Sequence, residues 1–208
     1  PSGPACNGPI AWKDFSATQR DIDNLAAAVK AHPPAGEAFM TAVSPGQAAR
    51  FMPNRHYKSH EEYLHALAAV LADEYKAITD AGFILQVDCP DLASGWNNQH
   101  SHLTVPEFVK VVELHIEVLN NALKDIPADR MRLHLCWGNY EGPHNHDIPL
   151  AEIIRPVLKA RPAGLSFEGA NPRHAHEWRV FETVKLPAGK VLIPGVLDST
   201  TNFIEHPE

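Results

Sequence analysis

The chain is short of several things, and each shortage excludes something. Cysteine occurs three times in 208 residues, at Cys6, Cys89 and Cys136. So few, odd in number and far apart, they build no disulfide framework. No apolar run approaches the roughly 18 residues that span a bilayer. The opening stretch PSGPACNGPIAW is too polar and too rich in Pro and Gly for a secretory signal. Clusters of Lys and Arg are missing as well. With 18 basic against 25 acidic residues, the formal net charge is -7. Phosphate binding needs concentrated positive charge, so neither a nucleic acid nor an anionic membrane is the expected partner. No glycine-rich phosphate loop follows an apolar run, which weighs against a nucleotide-binding open sheet. The expectation is a soluble, cytoplasmic protein.

What is abundant is histidine, at 13, and proline, at 18. Proline punctuates loops, so many short elements are expected. Ser16-Ala17-Thr18-Gln19 has the pattern of a capping box, opening a helix to about residue 32, where Pro33-Pro34 stops it. Residues 38–43 read as a strand ended by Ser44-Pro45-Gly46. Ser59, with Glu62 three residues on, caps a long helix whose stripe is Tyr63, Leu67, Val70, Leu71, Tyr75 and Ile78; Gly82 is its C-cap. Residues 83–87 form a strand before Asp88. Thr104, with Pro106 and Glu107 in the first turn, opens a helix to about residue 123. Strands at 132–136, 164–168 and 191–197 alternate with helices at 149–160 and 172–184.

Strand and helix alternate throughout, which is the α/β pattern of a parallel sheet. The strands read as uniformly apolar, as if buried on both faces. Five strands are counted, whereas a closed (β/α)8 barrel has eight. The expectation is therefore a single (β/α) barrel domain over residues 1–208, a partial chain lacking the first and last strands.

In barrels the reactive groups sit at the carboxyl ends of strands. Here the strands finish in Asp88, in His134 and Cys136, in Glu168 and in Asp198. Residues two apart on a strand share a face, so His134 and Cys136 point the same way. An imidazole, a thiolate and a carboxylate converging from neighbouring strands suit Zn²⁺. Taken alone, Cys136 reads equally as a small buried side chain. The other histidines look blander. His144 and His146 lie in a loop beside Asp147 and are expected at the surface. His174 and His176, like His100 and His102, are expected in solvent. Cys89 is expected buried, and Trp96 and Trp137 serve either a pocket wall or packing.

From about Phe39 to Leu197 the sequence resembles the catalytic barrel of cobalamin-independent methionine synthase, a barrel of the methionine synthase/uroporphyrinogen decarboxylase type. His134-Leu135-Cys136 matches that family's His-x-Cys zinc pair, and Glu168 in Ser166-Phe167-Glu168 its glutamate ligand. Asp88 matches the aspartate that holds the amino group of the thiol substrate. Val87-Asp88-Cys89-Pro90 resembles the Asp-Glu-Pro signature, with Cys89 in place of Glu. Pro194-Gly195-Val196-Leu197-Asp198 matches a strand near the end of the barrel. Two residues after Asp198 the family has a proton-donating histidine, and this chain has Thr200. The family's last zinc ligand, a cysteine, is expected beyond Glu208.

The resemblance implies Zn²⁺ held by His134, Cys136 and Glu168, substrate binding by Asp88 and Ser44, and a catalytic role for Asp198. The implied reaction moves a methyl group from a methyltetrahydrofolate-like donor to a small-molecule thiol such as homocysteine. Two alternatives stay open: an alkyl transferase or lyase using a non-amino-acid thiol such as coenzyme M, and a non-catalytic zinc- or ligand-binding barrel. Oligomeric state is not legible.

Overall fold

A computed structural model describes residues 3–202 and 204. Six α-helices and five β-strands alternate along the described residues: α1 Ser16–Ala31, β1 Phe39–Val43, α2 Pro45–Phe51, α3 His60–Asp80, β2 Ile84–Asp88, α4 Gly95–Gln99, α5 Val105–Ala122, β3 Met131–His134, α6 Leu150–Val157, β4 Gly164–Phe167 and β5 Val191–Pro194. The strands form one parallel sheet in the order β1-β2-β3-β4-β5. Each strand thus pairs with its predecessor in the chain, as a barrel wall does. Among the described residues the architecture is α/β with a five-stranded parallel sheet.

Local sequence explains the main helices. Ser59 Oγ accepts from the Glu62 amide at 3.0 Å and starts α3. A side-chain oxygen satisfies an amide there that the helix itself leaves without a partner. Gly82, at φ +90°, turns the chain out of α3 and into β2; a Cβ would be strained in that left-handed conformation. Thr104 and Glu107 form the capping box of α5. Helix α6 borrows its cap: the Leu150 amide donates to Glu177 at 3.1 Å. The Tyr75 hydroxyl donates to the Val43 carbonyl at 2.6 Å, tying α3 to the end of β1.

Three expectations need correction. Ser16 does not cap α1; it is the first helical residue, and Asp14 accepts from its amide and its hydroxyl. An acceptor two residues upstream competes successfully for the turn. The helix expected at 172–184 is a 3-10 helix over Ala175–Glu182. The strands, moreover, are two-faced. Leu85, Val87, Leu133, Leu135, Leu165 and Phe167 are buried under the helices, whereas the alternate positions Gln86, Asp88, Arg132, His134 and Ser166 are half-buried. The second face is polar and faces away from the helix layer, so it is not sealed by apolar packing.

That polar face is ordered. Arg132 lies over the Phe39 ring at 3.5 Å and donates through Nε to Gln86 Oε1 at 2.6 Å. Gln86 in turn donates to Asp88 Oδ1 at 2.9 Å, so the carboxylate at the end of β2 is held in place.

Candidate active site at the strand ends

The parallel register sets Asp88, His134 and Ser166 abreast at the ends of β2, β3 and β4. Pairing runs slightly past the strands, through Cys89 N–H to the His134 carbonyl and Leu135 N–H to the Ser166 carbonyl. Cys136 and Glu168 each follow by two residues on the same side. One cavity of about 270 Å³ results, and His134, Cys136, Glu168, Asp198 and Thr200 are among its walls. The structure therefore brings together all three expected metal ligands and the expected catalytic aspartate.

The electrostatics inside are tense. Burial pushes the Cys136 thiol up to about 11. The Gly138 amide opposes the rise, the Glu168 and Asp88 carboxylates add to it, and Arg50 pulls the other way. Burial also raises Glu168, against the pull of His174 and a 3.0 Å hydrogen bond from Asn171 Nδ2. A thiol so placed ionises only when a positive charge arrives to replace its proton.

Thr200 stands two residues after Asp198, where the resemblance predicts a histidine. Its hydroxyl donates to Asp198 Oδ1 at 2.6 Å and accepts from Arg173 Nη1 at 3.1 Å. The Thr200 amide and the Thr201 hydroxyl also reach Asp198, and these hydrogen bonds lower its carboxyl. Asn171 links Glu168 to Thr200, joining the loops after β4 and β5.

The two expected substrate-binding residues sit differently. Asp88 lies outside the lining of this cavity, at the edge where its charge still acts on Cys136. Ser44 is 2% exposed. Its hydroxyl donates to Asp91 Oδ1 at 2.6 Å and caps α2 by accepting from the Gln47 amide. Its hydrogen bonds are thus spent inside the protein.

Sequence reasoning missed one group beside the cavity. His144, Asp147 and His174 were expected in loops or in solvent. Instead their side chains are 6%, 7% and 4% exposed. His144 Nδ1 and His174 Nε2 both meet Asp147 Oδ2, at 2.5 and 2.9 Å, and Asn97 donates to the other carboxylate oxygen. His174 stacks on Trp137 at 4.1 Å between centroids. The loop after Cys136 folds back over that indole, and this buries histidines which are polar by local sequence. Among the described residues this is the His/Cys/Asp/Glu group whose three ligand atoms all lie within 4.8 Å. Two imidazoles and a carboxylate could take a divalent ion. His134, Cys136 and Glu168 share a cavity without closing to that spacing. His146 and His176 are exposed, as expected. Cys89 is 1% exposed, also as expected. Trp96 and Trp137 wall a second cavity, of about 590 Å³, together with His144 and Asp147.

Fold and strand-end site together define an α/β chain with a five-stranded parallel sheet and polar chemistry at the sheet's carboxyl edge. Comparison with known proteins narrows this. No family model matches the chain. Over 102 residues it is 31% identical to methionine synthase from Sulfurisphaera tokodaii, a stretch covering 49% of this chain and 26% of that protein. Its structure superposes with a TM-score of 0.69 on a B12-independent methionine synthase from Shewanella sp. W3-18-1 in complex with selenomethionine. The match has 20% sequence identity and covers 95% of this chain and 54% of that one. The chain thus spans about a quarter of the curated relative and about half of the solved one. The chain is thus similar to a methionine synthase over about half of its sequence, and to a B12-independent methionine synthase in its fold. Among the described residues no helix is long and apolar enough to cross a membrane.

Proposed function

We propose that the chain is a zinc-dependent S-methyltransferase that moves a methyl group from a methyltetrahydrofolate-like donor to a small thiol such as homocysteine. The proposal includes a single barrel domain over residues 1–208. One observation carries it: His134, Cys136 and Glu168 line the same cavity at the ends of adjacent parallel strands, in a chain related to methionine synthases.

The donor set fits the metal. Thiolate, imidazole and carboxylate are the ligand types that zinc takes, and an exchangeable position would remain for substrate sulfur. Zinc, when bound, would hold the acceptor as a thiolate at neutral pH. The chain's own residues supply the rest. Cys136 is half-buried, and Glu168 stands near it, so both favour a cation at the cavity wall. Asp88, oriented by Gln86, would take the acceptor's ammonium in a charge-assisted hydrogen bond. Ser44 would bear on the acceptor only indirectly, by holding Asp91 and the start of α2 in place. Asp198 and Thr200 share a hydrogen bond on the cavity wall and would serve proton transfer there.

Elemental analysis tests this reading. The purified protein should hold one zinc at the strand ends, and Cys136→Ser should lose it with the fold intact. Zinc retained by that variant but lost by Asp147→Asn would move the metal to His144, Asp147 and His174 and sink the ligand assignment. Asp88→Asn should keep zinc yet weaken use of an amino-acid thiol by about tenfold or more, the scale of one lost charged hydrogen bond. Unchanged kinetics with homocysteine would remove Asp88 from the acceptor site.

A further inference from the structure

A third polar cavity, of about 320 Å³, lies beside the barrel mouth, between α2, the start of α3, the end of α4 and α5. Arg50, His60, His100 and His115 all line it, with Asn54 and Gln99 as further donors. No carboxylate is among its walls. We propose that this cavity binds a small oxyanion, such as the phosphate, sulfonate or carboxylate group of a ligand.

The argument begins with Arg50. Its side chain donates through Nη1 to neutral partners, Gln47 Oε1 at 2.8 Å and Ser94 Oγ at 2.9 Å. Among the described residues no carboxylate comes within ion-pair distance of it. A guanidinium half-removed from water is costly without a counterion, and its flat fork matches an oxyanion. The carboxylate that acts most on Arg50 is Asp91, and Asp91 is committed. It accepts from Ser44 Oγ at 2.6 Å and from His115 Nδ1 at 2.7 Å.

That commitment also decides what His115 offers. With Nδ1–H given to Asp91, Nε2 faces the cavity and meets His60 Nε2 at 3.5 Å. The space is walled by nitrogen groups that either donate or gain a proton. A cation is disfavoured by Arg50, and the three imidazoles do not reach the mutual spacing that His144, Asp147 and His174 have.

The surrounding charges point the same way. The titratable groups around this space are Arg50 from α2, His60 and Tyr63 from α3, His100 and His102 after α4, and His115 from α5, with Asp91 behind it. Burial lowers His60 and brings His100 down to about 4, with neighbouring imidazoles and Arg50 adding to the fall. With His60 and His100 kept uncharged by burial, Arg50 is the fixed positive charge of the cavity, and an anion would pair with it and favour protonation of those imidazoles. Binding should therefore draw in protons. Arg50 also acts electrostatically on Cys136, so the anion would lie near the proposed reaction cavity. The anion site does not depend on zinc; only its use as a substrate pocket rests on the methyltransfer reading.

Titration calorimetry of the full chain with inorganic sulfate and with inorganic phosphate, at constant ionic strength, tests the site. Saturable binding is expected, weakened at least tenfold in Arg50→Gln, with zinc content unchanged. Heats should differ between buffers of different ionisation enthalpy near pH 6.5, reporting proton uptake. Cys136→Ser should bind the anion as wild type does, which separates failure of this proposal from failure of the zinc assignment. No saturation by either anion, or equal affinity in Arg50→Gln, would overturn it. The two anions also differ in shape and charge, and preference for one identifies the class of ligand.

Discussion

Asp91 offers the sharpest test of the energetics around the mouth. Its side chain is 2% exposed and its carboxylate serves two donors, the Ser44 hydroxyl and His115 Nδ1. Asp91→Ala removes one neutral-donor bond and one bond to an imidazole, and leaves both donors buried. A buried donor without a partner costs about 1–3 kcal/mol, so a loss of about 4 kcal/mol is expected. With a urea m-value of about 2 kcal/mol per molar, the midpoint should fall by about 2 M. Asp91→Asn behaves differently. Its oxygen still accepts from Ser44, and its amide can donate to Nδ1 once His115 shifts its proton to Nε2. That variant should lose only about 1 kcal/mol. Nitrogen-15 NMR of the imidazole should show the tautomer change. Urea unfolding of both variants checks the numbers. An alanine variant within about 1 kcal/mol of wild type would refute the reasoning, because the pair would then be solvated in solution.

Two further outcomes are expected. Gly46→Ala should destabilise by about 2–3 kcal/mol in the same assay, since a Cβ there overlaps the Asp91 carboxylate and the His115 ring; wild-type stability would show that α2 shifts freely. The pH profile of the metal-free protein should carry the signature of His174. Burial works to lower it, but the hydrogen bond to Asp147, the Glu177 carboxylate 3.7 Å from Nδ1 and the charge of Glu168 raise it to about 9. A raised imidazole stabilises fully below its unfolded value near 6.5, and that stability is lost as pH rises through about 9. Stability should therefore decline by up to ~3 kcal/mol across that window, and His174→Gln should flatten the decline. An unchanged slope would assign the titration to another group.

Much of the strand-end site was legible in the sequence because its signals are local. A strand that reads Arg-Leu-His-Leu-Cys announces both its direction of burial and its polar tip. Ser59 with Glu62, and Thr104 with Glu107, announce helix starts through bonds spanning three residues. What was lost depends on distant parts of the chain meeting. Asp147 and His174 are 27 residues apart, and nothing near either one says that Trp137 will roof them. Asp91 follows Pro90 and reads as a turn residue; its partners Ser44 and His115 lie in other β/α units. The two-faced strands were readable in principle, since Gln86 and Asp88 alternate with Leu85 and Val87. Short apolar runs hide such alternation when only two polar residues mark it.

The order of the sheet has a consequence for how the protein is made. Because β1 to β5 pair strictly in sequence, none of these described strands waits for a distant partner still inside the ribosome. Each new β/α unit can dock on the edge left by the one before, closing a loop of one unit's length. Ordering costs are thus met in small instalments as the chain emerges. The cavity at the strand ends then forms after most of this sheet, since Glu168 and Asp198 follow β4 and β5, the later two of the described strands.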